Sequence, residues 1–471
     1  MWDPEVSSTL SAPEAVCWPE LVQAQAEAML ADLCQLIGFA SHFQFDHSGA
    51  PFGQPIDDCL NATLAICRRF GFATYKDPDG YYGYADVGQG EGLIGIFCHL
   101  DVVGAGELSG WFSDPFTGVL RNGRLYGRGS QDNKGPTLAC LYALHLLQRY
   151  GPGLRHKIRI VFGTDQELLG RCIQRYKQWE RLPDASFCPD SAFPLVNAEK
   201  RLIQAYLYGP PSEDLVLDCG DIFNAVPDRA LYGGPQQRKL QRQLDLLGYP
   251  WRQQDKGTLV LGQGAHASVC HQAGVNAIVR LCRALQQIGY RHPALGLCSL
   301  VIGEDTSMRA LLGTVRDDLS GELTVNLATL KLDSHGCQLG IDVRVPVSFS
   351  RQEYHRMMRA AVDRLGWRYE EFDHLEPMFV PAHAPFVQAL SRGYEAVTGE
   401  RARPRSSGAV TYARAIPNCV AFGALLPGHP RVEHMPNEFI SVEGLLTACH
   451  IYIQALAQLQ RLPLAELAVS A

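Results

Sequence analysis

Residues 93–101 read LIGIFCHLD and residues 158–167 read IRIVFGTDQE. Each is a short, continuous apolar run that stops at a polar turn. A run of this length without alternation marks a strand covered on both faces, as in a parallel sheet between helices. The stretch between them fits. After the glycine-punctuated loop Gly127–Gly135, Pro136 stands at the start of a helical pattern, TLACLYALHLLQRY. Strand, helix and strand in succession predict an α/β layer. Open sheets of that kind gather their working side chains beyond the carboxyl ends of strands. His99, Asp101 and Glu167 fall at such ends.

Working outward, helical periodicity predicts helices over 20–37 and Ile56–Phe70. From about Ile203 the texture changes. LVLDCGD, GTLVLGQG, ELTVNLATLKLD and GCQLGIDVRVPV alternate as strands do, with helices expected at Asn276–Ile288 and Gln352–Leu365. After Pro381 the helix–loop–strand style returns and ends in a long helix around Val442–Arg461. The expectation is therefore one domain in two parts, 1–202 and 381–471, with an α+β module, 203–380, inserted between them.

A chain of 471 residues exceeds one ordinary core, which also argues for two domains. With 46% hydrophobic and 19% charged residues it reads as soluble and globular. A net charge of -7 offers no basic surface, so neither nucleic acid nor an anionic membrane is an expected partner. No apolar run approaches the ~18 residues of a membrane span. The 15 cysteines are scattered without a CxxC pair, and the start, MWDPEVSSTL, lacks a basic or apolar leader. Both features point to a reducing cytoplasm.

Six side chains in five separated loops form a candidate ligand set: His99 and Asp101 (FCHLDVV), Asp132 (GRGSQDNKG), Glu167 (FGTDQELLG), Asp190 (FCPDSAFP) and His434 (VEHMPNEF). Zinc accepts neutral imidazole and carboxylate oxygen. Two zinc ions about 3.5–4 Å apart need a shared carboxylate. Two histidines and four carboxylates supply one histidine and one terminal carboxylate per ion, a bridge, and an outer acid. Asp101, two residues from His99 on an extended segment, faces the same way and suits the outer role of orienting His99. Taken singly, each residue has a plainer reading. Asp132 in a glycine-rich loop is a turn residue, and Asp190 after Pro189 is a turn or cap. Only the combination of all six points to a metal pair. A nucleophilic enzyme is the rival, but Ser130 and Ser191 do not sit in a G-x-S-x-G elbow.

In these motifs the chain resembles the M20 family of zinc peptidases, most closely its PepV-like dipeptidase branch. The similarity extends to PFGQP, GWFSDPF, NGRLYGRG, PDSAFPLVNAEK, FNAVPDRA, GAHAS, DVRVP, TYARAIPN and HMPNEFI. The resemblance implies a catalytic domain with a mixed, largely parallel sheet between helices, and an inserted lid. It implies that His99 and Asp190 hold one zinc, Glu167 and His434 the other, and that Asp132 bridges them, with manganese or cobalt as alternative metals. It further implies that Asn224 and His266 hold the substrate and stabilise the oxyanion, that Arg344 grips a terminal carboxylate, and that the loop from Gly408 approaches the substrate. The family's GGGTYAR reads here Gly408-Ala409-Val410-Thr411-Tyr412-Ala413-Arg414. The implied substrate is a small peptide or N-acyl amino acid, and the implied state is a monomer, because the enlarged lid mimics a dimer partner.

One departure bears on the chemistry. The family's TDEE appears as Thr164-Asp165-Gln166-Glu167, so the residue in the general-base position is a glutamine. An amide hydrogen-bonds a water but cannot take its proton at neutral pH. Loss of a general base costs about 10²–10⁴-fold in rate. Three explanations fit the sequence: a natural but poor hydrolase or binding protein, a natural enzyme that uses the zinc pair for acyl transfer or amide formation, or a deliberate inactivating substitution.

Overall fold

The two apolar runs are neighbouring parallel strands. In the computed structural model, which describes residues 16–267, 274–303 and 305–468, the chain divides into two compact units. The first comprises Met1–Leu195, Pro381–Pro404 and Thr411–Ala471. The second comprises Val196–Val380 and Arg405–Val410.

In the first unit, strands β1 (Ala73–Lys76), β2 (Tyr82–Val87), β3 (Leu93–His99), β4 (Lys157–Gly163), β5 (Ala185–Cys188) and β6 (Cys419–Ala421) lie in the order β1-β2-β4-β3-β5-β6. β3 runs parallel to β4 and β5, and β5 parallel to β6. Every residue of β3 is buried, as is β4 from Ile158 onward, which explains their unbroken apolar composition. The sheet is not parallel throughout. β1 and β2 form an antiparallel hairpin, and β2 is antiparallel to β4. Asp77-Pro78-Asp79-Gly80 makes the hairpin possible, since Gly80 takes φ +78°.

The helices of this unit are α1 (Trp18–Ala24), α2 (Ala26–Ile37), α3 (Gln54–Arg69), α4 (Lys134–Tyr150), α5 (Arg171–Trp179), α6 (Pro385–Thr398) and α7 (Val442–Leu459), besides a short C-terminal turn. The single helix expected over 20–37 is broken at Gln25 into α1 and α2. α4 is buried over nearly its whole length, between α2 and α7. Its first residue, Lys134, is fully buried and donates from Nζ to the carbonyls of Leu36 and Phe39 at 2.9 and 3.0 Å. A cation there satisfies open carbonyls at the end of α2 and opposes the negative end of its dipole. The start of α4, and the loop preceding it, are thereby fixed.

The second unit carries a five-stranded antiparallel sheet in the order Leu217–Cys219, Thr324–Leu332, Cys337–Val345, Arg201–Gly209, Arg368–Leu375. One face presents Ile203, Ala205, Leu207, Leu339, Ile341 and Val343 to a core shared with helices Ala277–Gln287 and Arg351–Asp363. The opposite face carries Gln204, Tyr206, Asp342 and Arg344, as two-residue periodicity requires. A three-stranded sheet, Arg229–Tyr232, Gly257–Leu261 and Trp251–Gln254, and helix Gln237–Leu246 complete it. Among the described residues the cysteines are free thiols, most of them buried. No described helix is long and apolar enough to cross a membrane.

α6 and α7 meet where Gly393 faces Ala455. A Cβ on Gly393 would lie 2.4 Å from the Ala455 Cα. Helix propensity alone favours alanine by about 1 kcal/mol, whereas crowding a packed interface costs about 1–3 kcal/mol. The Gly393→Ala variant is expected to lose about 1 kcal/mol in urea melts. A gain in stability would show that the two helices are free to separate.

Candidate metal centre

Three adjacent parallel strands deliver three of the candidate ligands to one edge of the sheet. His99 is the last residue of β3, Glu167 lies just beyond β4, and Asp190 lies just beyond β5. Asp132 comes from the loop before α4. His434 comes from the loop before the strand Phe439–Ser441, which pairs with Arg124–Tyr126. His99 Nε2 lies 3.0 Å from Asp132 Oδ1 and 3.7 Å from Asp190 Oδ1. His434 Nε2 lies 3.1 Å from Asp132 Oδ2 and 3.2 Å from Glu167 Oε2. The ligand atoms form two triads, His99–Asp132–Asp190 and Asp132–Glu167–His434, that share Asp132.

These side chains fit a pair of divalent cations. His99 Nε2 and Asp132 Oδ1 are buried and neither makes a hydrogen bond, although they lie 3.0 Å apart. Buried polar atoms are seldom left this way. The other imidazole nitrogen, His99 Nδ1, lies 3.0 Å from the Asp101 backbone carbonyl. A carbonyl only accepts, so Nδ1 carries a proton and Nε2 is the nitrogen left to a cation, facing the two carboxylates. One imidazole nitrogen and two carboxylates per triad form a donor set that zinc, manganese and cobalt all accept.

Asp101 lies beside the other imidazole nitrogen of His99. Its backbone oxygen holds the His99 ring, while its carboxylate Oδ1 stands 3.6 Å from Nδ1. Oδ2 accepts the backbone N–H of Glu167 at 2.9 Å. The carboxylate therefore ties the loop after β4 to the loop after β3.

Without cations, the charges hold one another. Burial and the neighbouring Asp132 raise Glu167, and the same two causes raise Asp190 to about 7. Burial opposes charge on His434, but hydrogen bonds to Asp132 and Glu167 outweigh it and raise the ring to about 11. His99 is likewise raised against its burial by Asp101, Asp132 and Asp190.

Three residues that sequence reasoning passed over hold the loops together. Glu438 is fully buried and ion-paired to Arg128 at 2.7 Å. It also accepts the backbone N–H groups of Gly129, Gln131 and Asp132 at 3.1, 2.9 and 3.1 Å. Gln131 reciprocates. Its Oε1 accepts the N–H of Val432 at 2.9 Å, and its Nε2 donates to the carbonyls of Pro430 and Phe439. The Asp132 loop and the His434 loop are thus clamped from both sides, and His434 itself takes a left-handed φ of +64°, uncommon for a residue with a Cβ. Asn133 donates to the Pro189 carbonyl at 2.8 Å and to Asp190 Oδ1 at 3.3 Å, fixing the third loop.

Gln166 stands half-buried beside Glu167. Asp165, the neighbouring carboxylate, is engaged elsewhere. It accepts from Arg171 Nε and Nη2, both at 2.8 Å, and from the Arg171 N–H at 2.9 Å. It caps the start of α5 and is not placed to replace a base at position 166. Tyr412 lies edge-on to His99 at 6.3 Å, with its hydroxyl 2.9 Å from Cys172 Sγ. Gly163 leaves room for it, since a Cβ there would lie 2.0 Å from the Tyr412 oxygen.

The remaining expected residues lie in the second unit. Asn224 and His266 are neighbours. The Asn224 carbonyl accepts the Ala267 N–H at 2.8 Å, and Ala225 bridges to His266. Asn326 holds this turn through the carbonyls of Phe223 and Ala225. Arg344 is buried against Asp342 at 2.7 and 3.0 Å and donates to the Gly408 carbonyl at 2.6 Å. Gly408 belongs to the second unit with Arg405–Val410.

A model of the peptidase family M20/M25/M40 matches residues 95–458. "Putative dipeptidase YtjP" of Bacillus subtilis (strain 168) is 35% identical over 435 residues, which cover 88% of this chain and 92% of that protein. A "Putative dipeptidase" of Staphylococcus epidermidis is 30% identical over 479 residues, covering 93% and 98%. Among solved structures, human carnosine dipeptidase 1 matches with a TM-score of 0.58 at 15% identity, covering 96% of this chain and 100% of that one. The di-peptidase Dug1p of Saccharomyces cerevisiae matches at 0.59 and 12% identity, covering 94% and 98%. These structural matches establish a shared fold.

Replacing Glu438 by glutamine leaves Arg128 buried without its counter-charge. Breaking a buried pair costs about 3–5 kcal/mol. The Trp111 ring, 5.2 Å from the guanidinium, and the Gly104 carbonyl soften the loss, so Glu438→Gln is expected to lose about 3 kcal/mol in urea melts. A loss under about 1 kcal/mol would remove the clamp from the account.

Proposed function

The chain belongs to the peptidase family M20/M25/M40, and on that premise we propose that it is a two-zinc dipeptidase of the PepV-like branch, acting as a monomer on the amide bond of a small peptide or N-acyl amino acid. Family and relatives indicate a hydrolytic enzyme. The observation that carries the two-metal reading is Asp132, whose two carboxylate oxygens each face a different imidazole nitrogen, at 3.0 and 3.1 Å.

In this reading His99 and Asp190 hold one zinc, His434 and Glu167 the other, and Asp132 bridges them. Bound there, the pair supplies Lewis acidity toward the scissile carbonyl and an acidified water. Asp101 keeps His99 in the tautomer that offers Nε2 and keeps Glu167 in register. Asn224 and His266 hold the substrate and its developing oxyanion. Arg344, oriented by Asp342 and the Gly408 carbonyl, keeps further N–H groups for a terminal carboxylate. The loop from Gly408 borders the substrate.

Gln166 sets the rate. It orients a water through its amide but takes no proton from it, and Asp165 is committed to Arg171. Hydrolysis is therefore slow for the family. Turnover of a dipeptide panel by the zinc-loaded protein and by Gln166→Glu tests this. The carboxylate variant is expected to gain about 10²–10⁴-fold in kcat. Equal rates with zinc loaded would remove Gln166 from the base position, and no dipeptide turnover by either protein would refute the dipeptidase reading.

A further inference from the structure

Well away in sequence from the metal ligands, the first unit holds a cavity of about 610 Å³. Its floor is one face of α6, carrying Gln388, Ser391 and Glu395, and its wall is the segment Arg401–Pro404. Residues spaced three and four apart share a helix face, so the floor is continuous. The wall is fixed. Gly399 ends α6 with φ +71°, Glu400 donates its N–H to Thr398 Oγ1 at 3.2 Å, and Ala402 donates its own to Glu395 Oε1 at 2.9 Å. Gln388 is held by a 2.6 Å bond from Nε2 to the Ala382 carbonyl.

Two features of this cavity have no internal use. Ser391 is 5% exposed, and its hydroxyl is buried without a hydrogen-bond partner. Arg401 and Arg403 are exposed at the rim, and neither guanidinium has an ion pair or hydrogen bond among the described residues. Against these two positive charges stands the single carboxylate of Glu395, already accepting a backbone N–H. The cavity thus carries one net positive charge, two planar donor forks and an unused hydroxyl.

We propose that this cavity is a ligand site, separate from the metal centre, for a small molecule bearing one carboxylate or phosphate group. The guanidinium forks of Arg401 and Arg403 match either group, both of which accept paired N–H donors, and the Ser391 hydroxyl supplies a further bond within the cavity. The proposal does not depend on the peptidase reading.

Hydrogen–deuterium exchange of the full chain tests it, with inorganic phosphate or acetate titrated at constant ionic strength. Saturable protection of residues 385–404 is expected with at least one probe. The Arg401→Gln/Arg403→Gln double variant should weaken it at least tenfold, and Ser391→Ala a few-fold. Tighter binding of phosphate would identify a phosphate-bearing ligand, and tighter binding of acetate a carboxylate. No protection with either probe, or equal protection of the double variant, would overturn the proposal. Because two exposed arginines are replaced, dipeptide turnover and the thermal midpoint of the double variant should match the parent, which separates loss of the site from loss of the fold.

Discussion

One aspartate must face two imidazoles at once, and most of the first unit serves that requirement. Asp132 meets His99 and His434 only if three loops remote in sequence hold their positions to within a fraction of an ångström. The Asp132 loop is fixed on one side by Lys134, whose buried ammonium group caps α2. It is fixed on the other by Glu438, which takes three of the loop's backbone N–H groups. Gln131 returns the contact to the His434 loop. The parallel strands β3, β4 and β5 supply the rest, since their carboxyl ends lie side by side and each ends next to a ligand-bearing turn.

The electrostatic cost of this arrangement supports the proposed metal pair. Three carboxylates crowd two imidazoles at a site where His99 is fully buried. Burial alone pushes Asp190 and Glu167 toward their neutral forms, and only cations or protonated imidazoles offset the repulsion. A structural role needs no such crowding. The orphaned His99 Nε2 and Asp132 Oδ1 point the same way. On the proposed reading, Gln166 changes the chemistry of the site rather than its architecture. Glutamine is close to glutamate in shape, and its neighbours, Asp165 on Arg171 and Glu167 under Asp101, keep partners of their own.

What the sequence disclosed follows the range of the interactions. LIGIFCH and IRIVFG are legible as buried strands because burial on both faces writes itself into consecutive residues. Helices α3, α4 and α7 are legible from their periodicity. The candidate ligands were legible as residue types at strand ends and through a family resemblance, and the two-residue spacing of His99 and Asp101 was enough to set them side by side. The β1–β2 hairpin, which makes the sheet mixed as the resemblance implied, has its signal in Asp77-Pro78-Asp79-Gly80. The break at Gln25 carried none, having neither proline nor glycine. Glu438, Gln131 and Asn133 were illegible for a physical reason. They act by bonding to the backbone of loops up to about three hundred residues away, and side-chain-to-backbone bonds leave no mark on the partner's identity.

The shared carboxylate is open to direct test by anomalous diffraction at the zinc edge from crystals grown with zinc. The account predicts two peaks about 3.5–4 Å apart, one beside His99 and Asp190, the other beside His434 and Glu167, with Asp132 between them. A single peak, or a pair to which Asp132 contributes no oxygen, would contradict it.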